Sequence, residues 1–184
     1  MVLLTRARGR LTATAAALAV VLCISAAAQS IEPGAQAIKA AFLYNFTKFI
    51  DWPDSAFPDA TSPFVVCALA DAAFERELRT ILEAEHVRGR PVEIRSAGQA
   101  ADLRSCHMAY FSQAETDRAA KHLVTVSQAP VLTVGEGRRF LERGGLIAFY
   151  LEHDRVRFIV RKTAADAAGL QISSKLLRVA REVE

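Results

Sequence analysis

The sequence predicts an α/β protein in three layers, a mostly parallel open sheet with helices on both faces and a C-terminal antiparallel edge hairpin. Short apolar runs alternate along the chain with segments at helical spacing, which is typical of parallel strands joined by helices. Two strong strand patterns, 146–151 and 155–160, are separated by the tight charged connection His153-Asp154. Such a connection predicts an antiparallel hairpin at the edge of the parallel sheet.

The first 28 residues are expected to be a cleaved signal peptide. Three arginines within 6–10 precede an apolar run over 11–25, and the alanines at 26–28 suit a signal peptidase. The mature chain would begin at Gln29, in the periplasm. The apolar run is shorter than the ~20 residues that a membrane span needs. No direct membrane insertion is therefore predicted, and an uncleaved anchor helix is the alternative.

Removal of this segment leaves a chain with almost no net charge. The full sequence has 23 Lys and Arg against 20 Asp and Glu, and the segment 1–28 holds three of the arginines and none of the acids. A nucleic-acid partner would need basic residues gathered on one surface, so no nucleic acid is predicted. Residues 29–184 are enough for one domain with a sizeable core.

The first predicted element is a helix over 34–51. Apolar residues recur there at helical spacing, with charged residues on the other side. Trp52-Pro53 ends the helix, because proline disfavours the helical conformation in the residue before it. The apolar stripe is Ile38, Phe42, Phe46, Phe49 and Ile50, and the polar side carries Lys39, Lys48 and Asp51.

Strands and helices then alternate. An apolar run after Pro63 is typical of a strand buried on both faces, and Asp71 is a candidate N-cap for the next helix. Gly144-Gly145 and Gly169 are placed to end helices. The predicted order is strand 64–70, helix 73–85, strand 91–96, a turn or short helix at 100–104, strand 106–112, helix 113–128, strand 131–134, helix 138–143, the hairpin, helix 163–168 and a last helix capped by Ser173.

Cys67 and Cys106 are the cysteines that remain after position 28. An even pair in an oxidising compartment is more often bonded than free. Both fall in or beside predicted strands, and neighbouring strands place such a pair within disulfide reach. A disulfide is predicted, with two separately buried thiols as the alternative. Such a disulfide more commonly has a structural role, and the alternative is that it serves as a redox sensor.

The carboxyl ends of the predicted strands would rim any small-molecule crevice. These ends are Ala70-Asp71, Ser112-Gln113 and Gly135-Glu136. Gly135-x-Gly137 lacks the third glycine and the ribose-binding acid of a dinucleotide site, and it is interpreted as a turn. No segment of the rim carries a ligand fingerprint.

The sequence offers no catalytic or metal-binding motif. It contains no P-loop, zinc-ligand spacing or Gly-x-Ser-x-Gly elbow. Cys106 and His107 are adjacent, so in a strand their side chains would point to opposite faces. No catalytic residue, metal or cofactor is predicted.

The hairpin tip and its flank are strongly charged. Glu152, His153, Arg155 and Arg157 are candidates for contact with a partner or ligand. A solvated tip without a binding role is the alternative.

Three segments have distinctive sequences. They are Lys39-Ala-Ala-Phe-Leu-Tyr-Asn-Phe-Thr-Lys-Phe-Ile-Asp-Trp-Pro53, Gly144-Gly-Leu-Ile147 with Val156-Arg-Phe158, and Ala168-Gly-Leu-Gln-Ile-Ser-Ser-Lys-Leu-Leu-Arg178. Together they resemble the YfiR-like family of exported bacterial regulators, over nearly the whole chain that follows position 28. Cys67 and Cys106 also stand where that family tends to carry a cysteine pair.

The resemblance implies a single YfiR-like domain over 29–184 that catalyses nothing itself. It would repress a membrane-bound signalling enzyme in the inner membrane, typically a diguanylate cyclase, by binding its extracytoplasmic sensor domain, and a homodimer is plausible. The family often has asparagine after the last strand, whereas Arg161 follows Phe158-Ile-Val here, so Arg161 is a further candidate contact. The alternative is a periplasmic small-molecule binding protein that feeds a sensor or transporter.

Overall fold

The computed structural model describes residues 33–96 and 103–184. Eight of the strands in these ranges form one sheet, and two others, Ile50–Asp51 and Gln171–Ile172, form a separate pair. The expected signal peptide lies outside the described residues, as do positions 100–102 of the predicted turn. The strands are β1 (Ile50–Asp51), β2 (Phe64–Leu69), β3 (His86–Val87), β4 (Arg90–Ser96), β5 (Met108–Phe111), β6 (Leu132–Glu136), β7 (Ile147–Glu152), β8 (Arg155–Val160), β9 (Gln171–Ile172) and β10 (Glu182–Val183). The helices are α1 (Pro33–Phe49), α2 (Ala72–Leu82), α3 (Ala119–Val126), α4 (Arg138–Glu142), α5 (Lys162–Ala167) and α6 (Ser174–Val179), and single 3₁₀ turns lie at Asp54–Ala56, Leu103–Ser105 and Gln113–Glu115.

The sheet has the predicted topology. Its strand order is β10-β8-β7-β6-β5-β2-β4-β3, and strands β4, β2, β5, β6 and β7 run parallel to one another. Strands β7 and β8 form the antiparallel hairpin, and the two-residue β10 lies parallel to β8 on its outer side. His153 and Asp154 both have positive φ, 49° and 59°, the backbone of a tight type I′ turn.

Helices cover both faces of the sheet, as predicted. One apolar cluster contains the inner faces of α1, α2, α5 and α6, and it includes Phe46, Leu78 and Leu176. A second cluster on the opposite face contains α3 and α4, with Leu123 and Phe140. Burial of alternate strand residues on the two faces gives the three-layer arrangement. In the described ranges, no helix combines the length and the apolar character needed to cross a membrane.

Two helices differ from the sequence prediction. In α1 the predicted sides are wrong at two positions, because Lys39 is only 4% exposed and Ile38 is 47% exposed. Lys48 and Asp51 are exposed as predicted, and the helix ends at Phe49, before β1. The ammonium of Lys39 has a buried partner, described below. The predicted helix over 113–128 is instead a 3₁₀ turn followed by α3. Thr116 is buried between these two parts, and its hydroxyl lies 3.4 Å from the carbonyl of Ser112.

Glycine allows a close approach beneath α4. A Cβ atom built on Gly135 or Gly145 would lie 2.4 or 2.1 Å from the ring of Phe140, so both positions need a residue without a side chain. Gly137 has φ of +75° and makes the turn into α4. The interpretation of Gly135-x-Gly137 as a turn therefore holds for Gly137, whereas Gly135 lies within β6 and makes room for Phe140.

Cys67 and Cys106 are joined by a disulfide, as predicted. Cys67 lies in β2, and Cys106 lies just before β5, the parallel neighbour of β2. Their Cα atoms are 5.9 Å apart, and both residues are buried in the second apolar cluster. The bond ties two central strands together at the start of β5.

Candidate functional site

The carboxyl ends of β2, β5 and β6 meet at one edge of the sheet, as the sequence predicted. Asp71 follows β2 and caps α2, where its side chain accepts a hydrogen bond of 2.8 Å from the amide of Phe74. The amide of Ser112, after β5, donates to the carbonyl of Leu69 at 2.9 Å. Glu136 is the last residue of β6. We call this region the carboxyl edge, the place where open α/β sheets bind their ligands.

A buried ion pair occupies the carboxyl edge. The ammonium of Lys39 lies 2.7 Å from Oε2 of Glu136, and the hydroxyl of Tyr110 donates to Oε1 of the same carboxylate. The side chains of Lys39 and Glu136 are only 6% and 13% exposed. Lys39 and Tyr110 both donate to the carboxylate of Glu136. These contacts join α1 to β5 and β6. They lie at the edge of the sheet where an enzyme of this architecture would bind a substrate.

Tyr110 acts as a hydrogen-bond donor to Glu136. The ring of Phe74 stacks on it with centroids 4.4 Å apart. Burial raises the pKa of Tyr110 well above its ordinary value of 10.0, and the charge of Glu136 and its hydrogen bond raise the pKa further. The hydroxyl therefore keeps its proton throughout the physiological range and continues to donate to Glu136.

The hairpin tip brings together two of the predicted contact residues. Oε1 of Glu152 accepts a hydrogen bond of 3.2 Å from Nε of Arg181, and its Oε2 lies 3.6 Å from Nε of Arg157. That Nε is buried and has no hydrogen-bond partner among the described residues. His153 and Arg155 are exposed at the turn. Sequence reasoning did not identify Arg181, which reaches the tip from the segment between α6 and β10.

Arg161 lies apart from the tip. It follows β8 directly and lies six positions after Arg155, the first residue of that strand, a distance of about 20 Å at ~3.3 Å per residue. Its Nη1 donates to the carbonyls of Leu141 and Gly145 at 3.2 and 3.4 Å. The five candidate contact residues therefore form two separate regions.

Two small cavities share Arg161. One has a volume of about 290 Å³, and the other, about 220 Å³. The larger is lined by Arg138, Leu141, Glu142, Arg161 and Glu184. The smaller is mostly apolar, and Leu123, Val126, Leu146 and Ala164 contribute to it beside Arg161. Both lie at or below the lower end of the range for ligand pockets, roughly 300 to 1,000 Å³.

Three large apolar side chains are exposed around the carboxyl edge. Ile38, Leu151 and Val179 are 47%, 57% and 63% exposed, and we call them the carboxyl-edge patch. The contacts of residues next to them in the sequence place all three at this edge of the sheet. Phe42 and Phe149 are in contact, with ring centroids 5.9 Å apart.

From that contact, two members of the patch extend in the same direction. Ile38 lies one helical turn before Phe42, next to Lys39, which contacts Glu136. Leu151 lies two strand residues beyond Phe149, which pairs with Glu136. Val179 ends α6, two residues before the Arg181 that reaches Glu152 at the hairpin tip.

Among residues 33–96 and 103–184, no group of three or more His, Cys, Asp or Glu side chains is arranged to hold a metal ion.

The model of the YfiR/HmsC-like family matches residues 36–181. The chain therefore belongs to the YfiR/HmsC-like family, which confirms the resemblance seen in the sequence. Membership implies a periplasmic regulator of diguanylate cyclase signalling, and the proteins of this family are regulators and not known enzymes.

A solved structure has a similar fold. It is the crystal structure of a conserved domain protein from Vibrio cholerae O1 biovar El Tor strain N16961, with a TM-score of 0.52 and 13% sequence identity. The match covers 81% of this chain and 60% of the Vibrio chain, so the present chain spans less than two thirds of the length of that protein. At this identity the similarity concerns the fold alone. No curated protein matches the sequence.

Proposed function

We propose that this protein represses a diguanylate cyclase of the inner membrane by binding the periplasmic sensor domain of that enzyme. Family membership supports this class of partner. The observation that carries the proposal is the carboxyl-edge patch, because exposed apolar side chains with a polar rim are typical of protein interfaces. At the same end of the hairpin, on the opposite face of β7 from Leu151, a charged cluster is formed by Glu152, Arg157 and Arg181.

Repression requires that the protein bind one conformation of the sensor domain more tightly than the other. A partner with equal affinity for both conformations shifts nothing, and a shift from 1:99 to 99:1 needs a preference of about 10,000-fold. A rigid surface can supply such a preference, since it fits one arrangement of the partner. The buried pair of Lys39 and Glu136 holds α1 to the sheet directly beneath the patch.

Leu151→Glu is expected to raise the dissociation constant for the sensor domain at least 30-fold. The substitution places a carboxylate within the patch, and loss of an interface hot spot costs about 2 kcal/mol or more. Isothermal titration calorimetry with the purified periplasmic domain of a membrane-bound diguanylate cyclase from the same organism measures the constant.

The matched control is Val124→Glu. Val124 is 72% exposed and lies on α3, on the opposite face of the sheet, so this variant should bind as the wild type does. Unchanged melting temperatures would show that both variants are folded. Equal affinities for Leu151→Glu and the wild type would contradict the placement of the interface.

A homodimer, implied by the resemblance, remains a prediction that sedimentation of the purified protein tests.

The second candidate function is the capture of a small molecule for a sensor or transporter. The smaller cavity beside Arg161 favours it, because a guanidinium over a mostly apolar cavity suits a carboxylate on an apolar body. A ligand at a hundredfold excess over its dissociation constant would add about 2.7 kcal/mol of stability. Thermal shift assays with a panel of carboxylate metabolites should then raise the melting temperature of the wild type but not of Arg161→Asn. No shift with any compound would count against this function.

A further inference from the structure

His107 is a buried histidine that the proposed interface does not use. It lies between Cys106 and β5 and is only 6% exposed. Its ring stacks on two phenylalanines, with centroids 4.4 Å from Phe57 and 5.1 Å from Phe64. The ring therefore lies between the start of β2 and the loop that leads into it.

Both ring nitrogens of His107 have backbone partners. Nδ1 lies 2.9 Å from the amide of Val65, which can only donate a hydrogen bond. Nε2 lies 3.1 Å from the carbonyl of Ala56, which can only accept one. Nδ1 must therefore be unprotonated and Nε2 protonated, so the geometry fixes the neutral ring in one tautomer.

The ring holds an otherwise exposed segment against β2. This segment, residues 54–62, contains the 3₁₀ turn and is exposed over most of its length. Arg90 also attaches the segment to the sheet, since its Nη1 donates to the carbonyls of Asp59 and Ser62 at 2.7 and 2.8 Å, and Ala56 and Phe57 pack at the border of the first apolar cluster. The guanidinium of Arg90 also lies 4.0 Å from the ring centre of Phe57. A segment with so few buried contacts opens more easily than the core.

We propose that His107 is an acid-operated latch, which holds the segment 54–62 on β2 while the ring is neutral and releases it when the ring takes up a proton. A protonated ring carries a donor on each nitrogen. Nδ1–H would then face the N–H of Val65, and this buried amide would lose its acceptor. An unsatisfied buried donor and a buried cation are both costly, so the closed arrangement loses its stability.

The surroundings of the ring favour its neutral form. Burial lowers the pKa of His107 below its usual value of 6.5, the hydrogen bond to Ala56 opposes this, and the charges of Arg90 and Arg95 on β4 lower the pKa further. On the segment itself, the carboxylates of Asp54 and Asp59 are exposed.

Two other charges lie near the segment. Asp51 and Arg88 pair with each other, and Nη1 of Arg88 lies 3.3 Å from the carbonyl of Trp52. Hydrogen bonds from Thr61 and Ser62 lower the pKa of Asp59 to about 2, so its turn persists in mild acid.

The sign of the pH dependence follows from the lowered pKa. The open form accepts a proton near pH 6.5, whereas the closed form accepts one only at lower pH. The latch therefore contributes its full stability above about pH 6.5 and loses it as the pH falls below that value. Each pH unit below 6.5 should favour opening about tenfold, until the pKa of the closed form is reached.

Hydrogen exchange of the full protein tests the latch. Between pH 7.5 and pH 5.0, and after correction for intrinsic rates, protection of the amides of Ala56, Phe57 and Val65 should fall, by up to about 30-fold. In His107→Asn, Oδ1 can replace Nδ1 as the acceptor but does not titrate, so protection should not depend on pH. His153→Asn, at the exposed turn, should respond as the wild type does.

Either of two hydrogen-exchange results would overturn the latch. One is pH-independent protection in the wild type, and the other is a loss of the pH response in His153→Asn. If His107→Asn does not fold, the pH dependence of amide protection in the wild type still tests the proposal. Nitrogen NMR of the imidazole should show a bare Nδ1 and a protonated Nε2 at pH 7.5, and a proton on Nδ1 would refute the proposal.

Discussion

Replacing Cys67 and Cys106 together with serine is expected to lower the free energy of unfolding by about 4 kcal/mol. The bond spans 39 residues of sequence, and the chain-entropy model gives about this value for a loop of that length. For a domain of this size the loss corresponds to a decrease of roughly 8 to 16 °C in the melting temperature. Urea denaturation of the variant and of the oxidised wild type measures the difference.

Reduced wild-type protein is the natural comparison for this variant. It should unfold at the same urea concentration as the double serine variant, because both lack the same constraint on the unfolded chain. The same samples separate a structural bond from a redox sensor. If the bond is a sensor, reduction should also weaken binding to the sensor domain, and a Cys67→Ser variant that represses normally would exclude that role. Identical denaturation with and without reductant would contradict the stabilising role itself.

Glu136→Gln is expected to destabilise the protein by about 3 to 5 kcal/mol. The substitution keeps a group that can accept the hydrogen bond of Tyr110 but leaves the ammonium of Lys39 buried without a counter-charge, which is the costly way to break a buried pair. The double variant Lys39→Met with Glu136→Gln should recover much of the loss, since neither buried charge remains. Chemical denaturation of the two single variants and the double variant gives the coupling energy.

An exposed ion pair provides the control for this cycle. Lys162 and Asp166 lie 2.5 Å apart on α5 with side chains 41% and 47% exposed, and Asp166→Asn should cost no more than a few tenths of a kcal/mol. Equal losses at Glu136 and Asp166 would show that the carboxyl edge is not held together by its buried charges.

Local patterns in the sequence predict most of the fold because burial leaves a mark on each strand and turn separately. The strand Phe64–Leu69 is buried at every position, so an uninterrupted apolar run marks it without knowledge of its neighbours. The hairpin is equally local, because the turn at His153 and Asp154 joins two adjacent runs and fixes their pairing.

The carboxyl edge depends on contacts that no local pattern contains. Lys39 and Glu136 are 97 residues apart in the sequence, so a periodicity analysis places the lysine on the solvent side of α1. One signal was available, since Lys39 lies one turn before the buried Leu43 on the same side of the helix. Arg181 was missed for a similar reason, because its approach to Glu152 depends on the pairing of the two-residue strand β10 with β8.

The level of cyclic di-GMP in cells tests the central claim, control of a cyclase through contact at the carboxyl-edge patch. Deletion of this protein should raise the level, expression of the wild type should restore it, and expression of Leu151→Glu to the same amount should not. A level that does not change on deletion, in cells whose membrane-bound diguanylate cyclases are present and active, would contradict the account.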